Sequence, residues 1–318
     1  MRFLHALLWV GLGAGCQSPA SEPAMAPESP PEAPPPPIVE AEPQGPPLPF
    51  DPPVGLPSVH AKRLSESSGV APSLAHPGTF WTHNDSGNRS ELYRFDLEGQ
   101  VLGRHAVPGL ENRDWEDIAS GTCPDGDLPC IYIGEIGDNK EQFEWVAVYA
   151  VREPIADEPA GIVATWRATY PSGARNAETL LRDPLTGLLY LVTKESSGLS
   201  EVYRFPAQPS EAPGALELVT TVQLDRGLFA SWRKATGGDW SADGTRVVVR
   251  TYMVAWEWDV HADSREAHWA DPPRRAWLAV EEQGEAVTYL PGGDLITTSE
   301  GRPMAVNHVP RASRVREQ

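Results

Sequence analysis

From about Val59 onward, short apolar runs recur along the chain, each bounded by Gly, Pro, Asp or Asn. Gly78-Thr79-Phe80-Trp81-Thr82, Cys130-Ile131-Tyr132-Ile133, Leu188-Leu189-Tyr190-Leu191-Val192, Arg246-Val247-Val248-Val249 and Asp294-Leu295-Ile296-Thr297 are examples. Runs of four to eight residues rich in β-branched and aromatic side chains, closed by turn formers, predict strands. No stretch keeps the 3.6-residue apolar period of an amphipathic helix.

A larger unit contains these runs. An acidic residue opens a short apolar strand, a turn follows, and then comes a strongly apolar strand that ends in polar or charged residues. The opening acids are Glu66, Glu116, Glu178, Asp239 and Glu285, with spacings of 50, 62, 61 and 46 residues. Third strands follow in several units, as at Glu91-Leu92-Tyr93-Arg94-Phe95 and Glu201-Val202-Tyr203-Arg204-Phe205. Repeats of this length built from about four strands are the signature of propeller blades. The expected fold class is therefore all-β, a β-propeller of five blades, or of six if 152–172 or 260–280 forms another. A strand near Val59–Leu64 is expected to complete the last blade and close the ring. In such a ring the first strand of each blade lines the central channel, so the five opening acids are expected to converge there. Lys194 and Arg250, at the ends of second strands, are placed to neutralise them.

The N-terminal part has a different composition. Residues 1–15 carry one early charge, Arg2, then an apolar run that ends in small residues before Cys16. The run is shorter than the ~20 residues of a spanning helix and reads as an export signal. The small residues before Cys16 resemble a bacterial lipobox, which implies lipidation of Cys16; an ordinary secretory signal is the other reading. Residues 17–56 hold fifteen prolines. Such a segment favours extended polyproline II at ~3.1 Å per residue, a spacer of up to roughly 100 Å. The expected organisation is thus signal peptide 1–15, lipid anchor and Pro-rich linker 16–56, propeller 57–310 and C-terminal tail 311–318. The expected location is the cell envelope, with the membrane as a partner through the lipid; Gln17 after the anchor favours the outer membrane.

Two further counts change the picture. Besides Cys16 only Cys123 and Cys130 are present, and a pair that close in an exported protein predicts a local disulfide. The net charge of −18 leaves no electrostatic grip on phosphate backbones, so nucleic acid is not an expected partner. The same excess favours divalent cations or basic ligands.

Candidate chemistry follows from the carboxylates. Asn84-Asp85-Ser86-Gly87 and Gly137-Asp138-Asn139 put oxygen ligands in Gly-containing turns, and Asp114-Trp115-Glu116-Asp117 places three carboxylates around one tryptophan. Ca²⁺ takes six to eight oxygen ligands, which makes Asp85, Asp117, Glu135 and Asp138 candidate metal ligands. Glu116 and Glu135 are the candidate general bases if the protein is an enzyme. No G-x-S-x-G, H-E-x-x-H or C-x-x-C motif is present.

Phe-Trp-Thr-His-Asn-Asp-Ser-Gly, Asp-Trp-Glu-Asp-Ile-Ala, Gly-Glu-Ile-Gly-Asp-Asn, Asn-Ala-Glu-Thr-Leu-Leu and Thr-Ser-Glu-Gly together resemble a group of uncharacterised bacterial exported lipoprotein β-propellers. That group is loosely similar to phytase-like and esterase-like propellers. The resemblance covers about residues 60–305. Phytase-like propellers bind several Ca²⁺ ions in an acidic channel and hydrolyse phosphomonoesters. Here, basic residues suited to phosphate are few: Lys194, Arg250, Arg175 and Lys140. Two functions remain open at this point. One is a surface propeller that binds a small-molecule, cell-envelope or protein ligand with Ca²⁺ in its channel. The other is a Ca²⁺-dependent phosphoesterase or esterase.

Overall fold

The structure is a computed structural model that describes residues 38–40, 50–156, 158–224 and 232–312. Cys16 and the signal segment lie outside them. Two short strands come first, β1 (Ile38–Glu40) and β2 (Val54–Gly55). Blade 1 is the meander β3 (Ser67–Pro72), β4 (Thr79–Asn84), β5 (Glu91–Asp96) and β6 (Val101–Ala106). Blade 2 is β7 (Trp115–Thr122), β8 (Pro129–Glu135), β9 (Val146–Arg152) and β10 (Ile162–Thr169). Blade 3 begins with β11 (Ala177–Arg182), β12 (Leu189–Thr193) and β13 (Leu199–Arg204). The chain then turns back, and β14 (Ser210–Ala215) pairs in parallel with β10 as a fifth strand of blade 2. It returns as β15 (Glu217–Gln223), beside β13 in blade 3, where β1 adds a parallel edge. Blade 4 is β16 (Gly237–Trp240), β17 (Arg246–Arg250), β18 (Val254–Asp259) and β19 (Arg274–Trp277). Blade 5 is β20 (Gly284–Tyr289), β21 (Leu295–Ser299) and β22 (Val306–Val309), completed by β2 from the other end of the chain.

The first strands β3, β7, β11, β16 and β20 neighbour one another in turn, and β20 meets β3 again. The fold is a closed five-bladed β-propeller. The two regions that could have made a sixth blade instead supply outer strands, β10 in blade 2 and β19 in blade 4. The 61-residue spacing between Glu178 and Asp239 contains β14, which the chain adds to blade 2 before returning to blade 3 as β15. Ring closure also differs from expectation. Val54–Gly55 pairs with Asn307 and His308, and Phe50 bridges Arg311, so the sheet reaches into the Pro-rich stretch; Val59 contributes only an isolated bridge to Met304.

Five apolar clusters lie one between each pair of neighbouring blades, which explains the strand composition. Leu180 and Leu191 of blade 3 pack toward blade 2, whereas Leu181, Tyr190 and Val192 pack toward blade 4. Val247 and Val249 face blade 3, and Val248 faces blade 5. A strand covered on both sides of its sheet needs apolar residues at consecutive positions, with alternate side chains going to opposite faces. The runs in the sequence are this double burial. Cys123 and Cys130 form the expected disulfide, closing the β7–β8 turn. Among the described residues, no helix is long and apolar enough to cross a membrane.

Candidate functional site

The site is built where the first strands begin. Ser67, Trp115, Ala177, Gly237 and Gly284 are equivalent positions, each paired with the last residue of its blade's second strand. Immediately after it, β3, β7, β11 and β20 each carry one more residue than the partner strand, a β-bulge. Bulges re-aim side chains and recur beside functional sites. Here they present Ser68, Glu116, Glu178 and Glu285 at equivalent positions near the start of their strands. In blade 4 β16 runs without a bulge, and Gly237 and Gly238 stand there. A Cβ on Gly237 would sit 2.4 Å from the Glu285 carbonyl oxygen, so this wall of the ring admits no side chain.

A second tier comes from the residue after each second strand: Asp85, Ile136, Lys194, Thr251 and Glu300. Asp114, just before β7, joins them. One carboxylate oxygen from each of Asp85, Asp114 and Glu116 lies within 4.8 Å of the others. The Ser68 hydroxyl donates to Glu116 Oε2 at 3.3 Å. The Lys194 ammonium pairs with Glu178 and lies 5.5 Å from the Tyr252 ring centroid. Glu285 is buried, and its Oε2 has no hydrogen-bond partner. Gly137 is required where it stands, because a Cβ would fall 2.2 Å from Glu116 Oε1.

Crowding of like charge in a water-poor funnel sets the protonation states. Burial, then Glu178, Asp85 and Asp114, push the Glu116 carboxyl well above the usual carboxylate range. Burial raises Glu178 to about 8 against the opposing pull of Lys194. Burial and the charges of Glu285, Asp85 and Glu66 bring Glu300 to about 7, while burial and Asp85 bring Asp114 to about 6. Lys194 is held above its ordinary value because the attraction of Glu178 and Glu285 outweighs its burial. These raised carboxyls fix the sign of the pH dependence. An acid whose folded pKa exceeds its unfolded one binds protons more tightly when folded, so its stabilisation is complete below about pH 4 and lost as pH rises through the folded value. Protein freed of divalent ions is expected to lose melting temperature steadily between pH 5 and 8.5, as scanning calorimetry would record. A midpoint that rises over that interval would contradict the arrangement.

The other residues singled out in the sequence do different work. Glu66 precedes the bulge by two positions; it sits at the rim, where it accepts a hydrogen bond from Asn88. Asp239 lies deeper on β16, and its oxygens accept from Thr288 Oγ1 at 2.7 Å and from the backbone nitrogens of Tyr289 and Trp240. The five opening acids therefore do not form one ring: Glu116, Glu178 and Glu285 come together, and the other two are displaced by register. Arg250 reaches the funnel through its field, which holds Glu285 down, rather than by lining it. It is the last residue of β17, fully buried, with an ion pair to Glu281 at 2.8 Å and bonds to backbone carbonyls; Thr251 occupies the position equivalent to Lys194.

Of the four candidate metal ligands, only Asp85 belongs to the carboxylate trio. Asp117 accepts from the backbone nitrogens of Ile118, Leu180 and Gly238, tying blades 2, 3 and 4 beneath the funnel. Glu135 accepts from the Asp114 nitrogen, the Trp115 indole and Arg113, so both of its oxygens are occupied. Asp138 accepts from the Gln142 and Phe143 nitrogens and closes a turn. His83 is buried against Trp115 and pushed down to about 4, a neutral structural ring at physiological pH.

No protein-family model and no curated protein matches the chain. Solved structures do. The soluble aldose sugar dehydrogenase of Escherichia coli in its apo-form aligns at 11% identity, covering 81% of this chain and 99% of that one, with a TM-score of 0.47. A glucose dehydrogenase aligns at 12% identity over 81% and 99%, with a TM-score of 0.44. A protein of unknown function from Bacteroides caccae aligns at 12% over 73% and 70%, with a TM-score of 0.40. At these values the likeness carries no argument about chemistry. The propeller rests on its own sheet order, and fold alone does not name a function.

Ca²⁺ can be tested against the residues present. A hard cation wants several oxygens, and Asp85, Asp114 and Glu116 offer one each at mutual distances that a single ion can span. The buried Oε2 of Glu285, in the field of Lys194 and Arg250, has no hydrogen-bond partner in the same funnel. The donor set fits.

Proposed function

We propose that the protein is an extracytoplasmic binding propeller, lipid-anchored through Cys16, whose funnel holds a Ca²⁺ ion and uses it to engage a ligand. The observation that carries the metal is the trio of Asp85, Asp114 and Glu116, with three carboxylate oxygens within 4.8 Å, their pKa values raised by burial first and by neighbouring carboxylate charge second. Without a cation, burial and mutual repulsion drive these groups to hold protons; a divalent ion supplies the missing charge. The ion would lie between blades 1 and 2, against Ser68 and Gly137, with the Glu178–Lys194 pair beside it. Export and anchoring rest on the sequence around Cys16 and agree with the disulfide, which belongs to an oxidising compartment.

The hydrolase reading draws on the same carboxylates and has no observation of its own, so binding is the function proposed. The test is a thermal titration of protein stripped over a chelating resin. Ca²⁺ is expected to raise the melting temperature saturably, with Mg²⁺ weaker because it accepts only near-octahedral geometry. Absence of any Ca²⁺ effect would sink the metal. Metal-dependent turnover of phosphomonoesters or aryl esters would replace binding by hydrolysis.

A further inference from the structure

A cavity of about 270 Å³ opens at the seam between blades 5 and 1, outside the carboxylate trio. Four cationic side chains line it, Lys62, Arg63, Arg89 and Arg302, against the single carboxylate of Glu91. That balance is opposite to the rest of the chain, whose net charge is −18. The four residues come from three separated segments, so no local motif in the sequence brings them together.

The cavity has a rigid frame. Asn84, buried at the end of β4, accepts from the Ser65 and Glu66 nitrogens with Oδ1 and donates Nδ2 to the Arg63 carbonyl oxygen. One side chain thereby fixes the loop that carries Lys62 and Arg63. The Gly301 nitrogen donates to the Ser65 carbonyl oxygen at 2.9 Å, and Arg302 Nη2 donates to Ser65 Oγ at 2.9 Å, which binds the blade 5 loop to the same frame. The cations themselves are poorly matched. Arg63 reaches Glu91 only at 3.7 Å, and that carboxylate already accepts from the Tyr93 hydroxyl. Among the described residues, Lys62 and Arg89 make no ion pair and no side-chain hydrogen bond. All four cations are exposed and hydrated, and the backbone gathers them around one cavity with Glu91 as its sole carboxylate, an arrangement that favours an anion there.

We infer that this seam cavity binds a small multivalent oxyanion, a phosphate or polycarboxylate group, through Lys62, Arg63, Arg89 and Arg302. Guanidinium forks match both groups bidentately, and the volume suits a compact ligand rather than a polymer. A bound anion would join the loop before β3 to the loop after β21 and so hold the first and last blades together. The inference stands independently of the proposed Ca²⁺ site.

The experiment is calorimetric titration of the full chain, stripped over a chelating resin so that no soluble chelator competes, with inorganic phosphate and with citrate. One-to-one binding of either is expected, together with a saturable rise in melting temperature that sodium chloride at matched ionic strength does not reproduce. Arg89→Ala and Lys62→Ala should each weaken binding by about tenfold, the usual scale for a lost charged hydrogen bond, and leave the melting temperature without anion unchanged. Arg175→Ala, remote from the seam, should bind as the parent does. A response to phosphate alone assigns a phosphate ligand, and one to citrate alone assigns a polycarboxylate. Failure of both to bind, or undiminished binding by the Arg89→Ala and Lys62→Ala variants, overturns the inference. If anion binds while Ca²⁺ has no effect, only the metal proposal falls.

Discussion

Asp117→Ala is expected to destabilise the propeller more than any other single substitution in its first strands, by about 3–4 kcal/mol. The side chain is fully buried, and its two oxygens accept from three backbone nitrogens: its own blade's Ile118, Leu180 of blade 3 and Gly238 of blade 4. Alanine leaves those donors in a space that a water molecule would have to enter to satisfy them. A buried donor without a partner costs about 1–3 kcal/mol. Part of the sum is returned because burial itself holds the Asp117 carboxyl well above its ordinary range, so the native side chain is under electrostatic penalty. Urea unfolding followed by tryptophan fluorescence measures the difference. Asp117→Asn keeps one acceptor oxygen and should fall between the parent and alanine. A loss below 1 kcal/mol for the alanine variant would show that the three bonds do not staple the blades.

Glu116→Gln is expected to act in opposite directions with and without Ca²⁺. In stripped protein Glu116 must take up a proton on folding, against burial and the charges of Glu178, Asp85 and Asp114, and glutamine removes that cost, so the melting temperature should rise. With Ca²⁺ the order should reverse, because the variant loses a ligand. A site filled at about a thousand times its dissociation constant stabilises the parent by ~4 kcal/mol, and the glutamine variant should show little of this. The inversion distinguishes a cation site from a structural carboxylate, whose loss would be harmful under both conditions. Glu217→Gln, on an exposed stretch of blade 3, serves as the control for a general charge effect. If the variant keeps the full Ca²⁺ response, the ion is held elsewhere.

The blades were legible because each is buried on both faces, which writes consecutive apolar residues into every inner strand. The disulfide was legible because only six residues of turn-forming sequence lie between the two cysteines. The set of funnel acids was half legible. Glu116, Glu178 and Glu285 are equivalent in space, yet Glu66 and Asp239 share only their acidity and their place near a strand start. The bulges set the equivalence: in β3 the bulged position is Ser68, two residues beyond Glu66, and β16 has no bulge near Asp239, and a bulge is a mismatch between two strands that neither strand's own sequence displays. Because side chains alternate along a strand, an offset of one residue also exchanged Arg250 for Thr251 at the funnel. Asp114 and Glu300 stood within motifs already visible, Asp-Trp-Glu-Asp and Thr-Ser-Glu-Gly. Only the closing of the ring shows that both come near Asp85. The seam cations carried no signal at all, since their neighbourhood exists only where the two ends of the domain meet.

That meeting also imposes an order in time. Val54 and Gly55 are among the first propeller residues to be synthesised, and their partners, Asn307 and His308, are among the last. Until blade 5 arrives, β3 lacks its neighbour β20, and the apolar faces of Val70 and Phe80 lack the Ala286 and Ile296 side chains that cover them. Blades 1 to 4 can assemble as the chain lengthens, but the circle can close only after nearly the whole chain has been made. Bringing such distant segments together is the slow, entropically opposed part of folding. The nascent protein thus spends its youth as an open arc with a greasy end.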